Sequence, residues 1–159
     1  MEMKSWFECK VKIDKMVEGG VIKPETCTYL VDALNFTEAE NRIIKEITPF
    51  TSGQLDVTNI KRARFSELFM SDSELADKWY KVKCNYITLD EKTQTEKKTA
   101  TNMLVQAANF HDALKNFDNG MKGSMMDYQI ALIQETTILD VFPYEAQSKG
   151  DAAKPEYEV

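Results

Sequence analysis

LVDALNF at residues 30–36 returns as LVQAANF at residues 104–110, with five of the seven positions identical. The flanks of the two phrases decide whether this is chance. Upstream, WFECKVKID from Trp6 and WYKVKCNYI from Trp79 each open an alternating run with an aromatic pair. Their offset is 79 − 6 = 73, against 104 − 30 = 74 for the phrases. Downstream, VTNIKRARFSELF (57–69) aligns with IALIQETTILDVF (130–142) at 73 again, bringing Val57 onto Ile130, Ile60 onto Ile133 and Phe69 onto Phe142. Three collinear matches at a spacing of 73 or 74 indicate an internal duplication.

Each copy spells the same order of elements. Phe7, Cys9, Val11 and Ile13 alternate with Glu8, Lys10 and Lys12; Tyr80, Val82, Cys84 and Tyr86 alternate with Lys81, Lys83 and Asn85. Period-2 alternation predicts strands with one buried and one solvated face. Turn signals follow, Glu18-Gly19-Gly20 in the first copy and DEKTQTEKK (90–98) in the second, so both runs read as hairpins. The return strands carry the repeated phrase and lead into helices. Thr37 with Glu40 predicts a capping box for the first helix, whose buried stripe is Ala39, Ile43, Ile44 and Ile47, with Pro49 stopping it. The second starts at Asn109 or His111, buries Ala113, Leu114 and Phe117, and ends near Gly120 to Gly123. Phe36 is placed to staple the helix entry.

The expected fold is therefore α+β: a duplicated ββαβ unit forming one pseudo-symmetric antiparallel-sheet domain with two main helices. Residues 1–144 form that domain, as repeats 6–70 and 79–144 joined by a short linker helix over 71–78. Residues 145–159, polar and without apolar period, are expected to be a mobile acidic tail.

WFECKVKID, YLVDALNFTEAENRI, ITPF, NIKRARFSELF, DKWYKVK, ITLDEK and DVFPY, spread over roughly residues 5–144, resemble an uncharacterised family of small proteins from gut bacteria and their phages. The resemblance implies a phage or mobile-element setting. It implies no catalytic or binding residues.

Composition narrows the function classes. Cys9, Cys27 and Cys84 lack C-x-x-C spacing, and the one histidine, His111, cannot complete a metal set, so buried reduced thiols and no cofactor are expected. The N-terminus alternates and is charged, unlike a signal peptide, and no apolar run approaches the roughly 20 residues that span a bilayer. A cytoplasmic protein without a membrane partner is expected. The net charge of −6 divides as −1 over residues 1–70 (10 basic, 11 acidic) and −5 over 71–159 (10 basic, 15 acidic), which disfavours generic binding to phosphate.

Catalytic constellations are weak. Cys9 and Cys84 fall on apolar strand faces, Glu38 and Glu40 suit the positive end of a helix, and Asp112 and Asp118 have no second cluster. The sequence GMKGS (120–124) follows a helix instead of preceding one, so it is a stop and no phosphate cradle. Met121, Met125 and Met126 read either as gap-filling core or as an adaptable surface, and Trp6 and Trp79 as packed corners or as stacking platforms.

The basic residues carry the site hypothesis. Lys10, Lys12, Lys81 and Lys83 point away from the core, and Lys61, Arg62 and Arg64 form a run on the third strand of the first copy. In the second copy Gln134, Glu135 and Thr137 stand there (61 + 73 = 134). If both copies share one sheet, these residues form a positive stripe; the competing reading is a solvated face whose lysines discourage edge pairing. The leading expectation is a non-enzymatic binding or regulatory protein of a phage or prophage, with a protein partner. The alternatives are a nucleic-acid binder using the basic face, and a small-molecule binder with its site between the copies or across a homodimer.

Overall fold

The computed structural model of the protein describes residues 5–51 and 53–143. The expected acidic tail from 145 lies outside them. Two long hairpins dominate. β1 (Ser5–Met16) turns through Glu18–Gly20 into β2 (Ile22–Ala33), and β5 (Lys78–Asp90) turns into β6 (Thr95–Ala107). Gly19 and Gly20 take positive φ in the first turn, 83° and 77°, a conformation in which other residues are strained. Helices α1 (Phe36–Ile47) and α2 (Phe110–Gly120) follow, then β3 (Leu55–Ala63) with β4 (Glu67–Phe69), and β7 (Asp127–Glu135) with β8 (Ile138–Phe142). The expected third strand of each copy is thus two strands.

The repeated phrase is the strand-to-helix junction, and its asparagine is the cap. Asn35 is extended (φ −156°, ψ 178°), and its side chain accepts from the Glu38 amide at 2.8 Å. The Glu38 carboxylate in turn accepts from the Leu34 amide at 2.6 Å. Asn109 accepts from the Asp112 amide and Asp112 from the Ala108 amide, both at 2.9 Å. The reciprocal cap is therefore Asn35 with Glu38, two residues upstream of the expected Thr37 and Glu40, and the second copy has its equivalent. Asparagine outranks threonine at this position, which accounts for the shift. Phe36 meets Phe7 of β1 edge-on at 4.9 Å; with Asn35 as the cap Phe36 is the first helical residue, so it anchors the helix entry to the sheet and is not the expected staple.

The duplication extends to irregularities that no hydrophobic pattern encodes. The β1–β3 register slips between Lys10 and Val11, leaving Thr58 as a bulge; the β5–β7 register slips between Lys83 and Cys84, leaving Ala131. The bulged residues are again 73 apart.

The strands form two four-stranded sheets, ordered β3-β1-β2-β8 and β4-β6-β5-β7. β8 runs parallel to β2, and β4 parallel to β6. Each repeat has placed its fourth strand in the other repeat's sheet. The described residues accordingly divide into two compact units, one built from 5–63 together with 138–143, the other from Arg64–Thr137. The sheets are mixed because of these exchanged strands; without them each would be antiparallel.

The linker over 71–78 is not a helix. It carries a turn at 74–75, with Ser73 N–H donating to Ser71 Oγ at 3.1 Å and Leu75 N–H to Ser73 Oγ at 3.2 Å. Serine hydroxyls taking up backbone amides compete with helix formation, and so short a segment cannot offset nucleation.

In the first unit α1 covers one sheet face, burying Ala39, Ile43 and Ile47 against Phe7, Cys9, Val11, Ile13 and Val31. In the second, Phe117 and Met121 pack on Val82, Cys84, Met103 and Val105, and Ala113 on Tyr80 and Ala107. Ile44 and Leu114, expected in the stripes, are more than a third exposed. Burial is not confined to the helix-facing side. Leu30 shares a face with Glu8, and Leu104 with Lys81, yet both leucines are fully buried, as is Trp79. One buried and one solvated face is seen along β1 from Cys9 to Ile13, whereas nearer the turns both faces are exposed, Met16, Ile22 and Leu89 included.

Candidate binding surface

Strand register places each basic residue. Lys10, Lys12 and Lys61 lie on the first sheet's face away from α1, where β1 residues of even number and their partners project. Glu8, Asp14, Asp32 and Asp56 share that face, four carboxylates against three lysines. Lys61 pairs with Glu8 at 3.7 Å, and Asp56 stands opposite Lys12. Coulomb attraction to an anion is cancelled where opposite charges interleave within a few ångströms. This face is not a positive stripe.

Arg62 lies on the other side of the same sheet. Its register partner is Phe7, and its guanidinium stands 5.1 Å from the Phe7 ring centroid and 5.5 Å from that of Phe36, with Nη1 donating to Ser5 Oγ at 3.1 Å. It covers the Phe7–Phe36 pair by cation–π stacking. Arg64 is exposed in the connection between β3 and β4. The run Lys61, Arg62, Arg64 is therefore dispersed by strand alternation, and Lys81 and Lys83 sit in a different sheet of a different unit. The shared sheet on which a continuous stripe depended does not exist.

The second sheet keeps a local basic site. On its face away from α2, Lys81 stands between Leu104 and Gln134, and Lys83 between Asn102 and Leu132. No carboxylate is a register partner of either. Lys98 adds a third cation nearer the turn, level with Asp127 across Ile87, and Glu96 lies opposite Leu89 beyond it. Leu89 and Leu132 are exposed on the same face, 60% and 42%. Lys98, Leu89 and Leu132 escape sequence reading because only the register across three strands assembles them with Lys83. The signal present was the period-2 alternation of β5 and β6, continued to the turn.

Two further features bear on chemistry. Burial, and secondarily the Glu8 carboxylate, pushes the Cys9 thiol up to about 12; burial likewise raises Cys27 and Cys84. All three are free and buried, so at neutral pH they are protonated thiols, poor nucleophiles and poor metal ligands. Among the described residues no group of three or more His, Cys, Asp or Glu could hold a metal ion. Within the first unit lies a cleft of about 450 Å³, lined by Ile13, Cys27, Tyr29, Ile47, Phe50 and Phe142 with Lys15, Glu46 and Asp140. Its Tyr29 phenol is raised, chiefly by burial and then by Cys27. The volume falls in the range of small-molecule sites. No helix among the described residues is long and apolar enough to cross a membrane.

Residues 5–144 match the model of a domain of unknown function, DUF4494, and the chain belongs to that family. No curated protein matches the chain.

Proposed function

We propose that this is a non-catalytic binding or regulatory protein of a phage or prophage, working in the cytoplasm on a host or phage macromolecule. The partner is a protein with an acidic surface, docking on the second unit's sheet face around Lys83. The observation that carries this reading is the pairing of exposed cations with exposed aliphatics there: Lys83 and Lys98 beside Leu89 and Leu132, with uncharged residues flanking Lys83. Apolar side chains give a protein interface its burial, and flanking cations give it charge selectivity. A phosphate backbone would need a longer run of cations than three, on a chain whose net charge is −6. Protonated thiols support the non-catalytic part, and free cysteines suit a reducing compartment. The phage setting rests on family resemblance.

The test is affinity capture from lysate of the source cell by tagged wild type, Lys83→Glu and Leu132→Asp, alongside labelled single- and double-stranded nucleic acid at two salt concentrations. The expected result is a protein retained by wild type and lost by both variants, with no nucleic-acid binding below about 10 μM, weaker than most non-specific binding at low salt. Salt-dependent nucleic-acid retention lost in Lys83→Glu would replace the protein reading with the nucleic-acid one. The cleft beside Tyr29 favours a second reading, a small-molecule binder. Ligand co-purifying with wild type and lost on Tyr29→Ala would select it.

A further inference from the structure

Why each repeat sends its fourth strand away is answered by the length of the connections. β3 and the outer edge of β2 are separated by β1 and β2 themselves, so a strand added there lies three strand spacings from β3, about 14 Å. Ala63 stands level with Asp32 through Trp6, whereas β8 occupies the edge beside Thr28–Val31. The position matching Glu67, which is Asp140 (67 + 73), pairs with Tyr29. A returning chain would have to move back three residues, about 10 Å, as well as across. The straight-line distance is about 17 Å, and the real path must also clear the sheet. Only Arg64–Ser66 connect β3 to β4, four Cα steps that reach at most about 14 Å. In the second repeat Thr136 and Thr137 alone connect β7 to β8, three steps or about 11 Å for a displacement at least as large. Neither repeat can fill its own edge.

We infer that the outer edges of β2 at Thr28–Val31 and of β6 at Met103–Val105 are strand-acceptor sites, whose fitting partner is the fourth strand of another copy of the repeat. The chain is a covalently fused, strand-exchanged dimer, and the covalent link between the repeats is not what holds them together. The two seats are built alike. Phe142 packs on Tyr29 at 5.8 Å, and Phe69 edge-on to Phe117 at 5.8 Å. Buried Val141 is the register partner of buried Leu30. Parallel pairing supplies backbone hydrogen bonds, and the alternate side chains supply selectivity, as in other strand-addition complexes. Leaving either edge empty would expose unpaired amides and a hydrophobic row.

The test severs the full-length chain. A site-specific protease sequence is inserted between Glu74 and Leu75, in the exposed turn of the linker, and the purified protein is cut to completion. The two fragments are expected to elute together at the position of the intact chain and to part only in denaturant. The same chain carrying Leu30→Cys and Val141→Cys should, after oxidation and cutting, run as one covalently joined pair on a denaturing gel without reductant, because parallel partners lie within disulfide reach. Fragments that separate on the native column would overturn the inference. So would fragments that stay together without forming the cross-link, since association would then not depend on exchanged strands. Should the double-cysteine chain fail to fold, deuterium uptake at 139–142 in the cut parent decides: protection supports exchange, and immediate uptake refutes it.

Discussion

Gly120 is the residue on which the seating of β4 can be tested most sharply. It ends α2, where glycine is ordinarily replaced by alanine with a gain approaching 1 kcal/mol in helix propensity. Here a Cβ would lie 2.6 and 2.7 Å from two Phe69 ring atoms and 3.1 Å from a third. Comfortable carbon–carbon contact begins near 3.5 Å, so ring and helix must part by about 0.9 Å. Phe69 is seated edge-on against Phe117 and its backbone pairs with Val105, so moving the ring gives up that contact, although a cleft of about 440 Å³ lined by Phe69 and Gly120 lets it relax in part. Overpacking of this kind costs about 1–3 kcal/mol, which exceeds the propensity gain. Gly120→Ala is thus expected to destabilise the protein by about 1–2 kcal/mol, against the sign of the helix scale. Phe69→Leu in the same chain should recover part of the loss. The repeat supplies a control. The equivalent of Gly120 is Glu46 (120 − 74), a helical residue lining the cleft, and Glu46→Ala should change stability by less than about 0.5 kcal/mol. Urea unfolding with an unchanged m-value reads all three. A Gly120→Ala protein as stable as wild type, or more so, would mean that Phe69 is not seated against α2.

Leu30→Ala and Leu104→Ala, each truncating a fully buried side chain at the strand-to-helix phrase, should each cost about 2–5 kcal/mol in chemical denaturation. Losses under about 1 kcal/mol for both would show that the face away from the helices is open there. The Cys9 thiol, raised from 9.0 to about 12 by burial, binds its proton more tightly folded than unfolded. Its contribution is complete below pH 9 and fades as pH rises from 9 toward 12, at about 1.4 kcal/mol per pH unit. Cys9→Ala should flatten the fall in stability between pH 9 and 10, and an unchanged slope would refute the assignment. Arg62→Ala should lower stability by about 0.5–1 kcal/mol through loss of stacking on Phe7 and Phe36. An effect on partner binding without an effect on stability would return Arg62 to the binding surface.

The phrase LVDALNF was legible as a strand-to-helix junction because core residues run into a turning asparagine and then Thr37 and Glu40, a start signal two residues beyond the Asn35 that caps. The strands were legible from alternation, and the duplication from an offset that stays at 73 or 74. What could not be read was where each strand finds its neighbour. Glu67-Leu68-Phe69 and Ile138–Phe142 look like the ends of third strands, since nothing local in Arg64–Ser66 or Thr136–Thr137 announces a crossing between sheets. That information lies in pairing between residues far apart in the chain, which periodicity does not carry. The candidate surface failed for the same reason. Counting lysines along one strand finds Lys10 and Lys12 but not the Asp56 that β3 brings opposite Lys12. The single residue that separates Lys61 from Arg62 sends one to each face.

The exchange of fourth strands is most directly measured by methyl nuclear Overhauser effects in the intact protein with labelled leucine and valine. Parallel partners place Val141 beside Leu30 and Leu68 beside Leu104, within about 5–6 Å. Cross-peaks for those two pairs are the result the exchanged fold predicts. Cross-peaks joining Leu68 to Leu30 and Val141 to Leu104 instead would mean that each repeat closes on itself, and would contradict it.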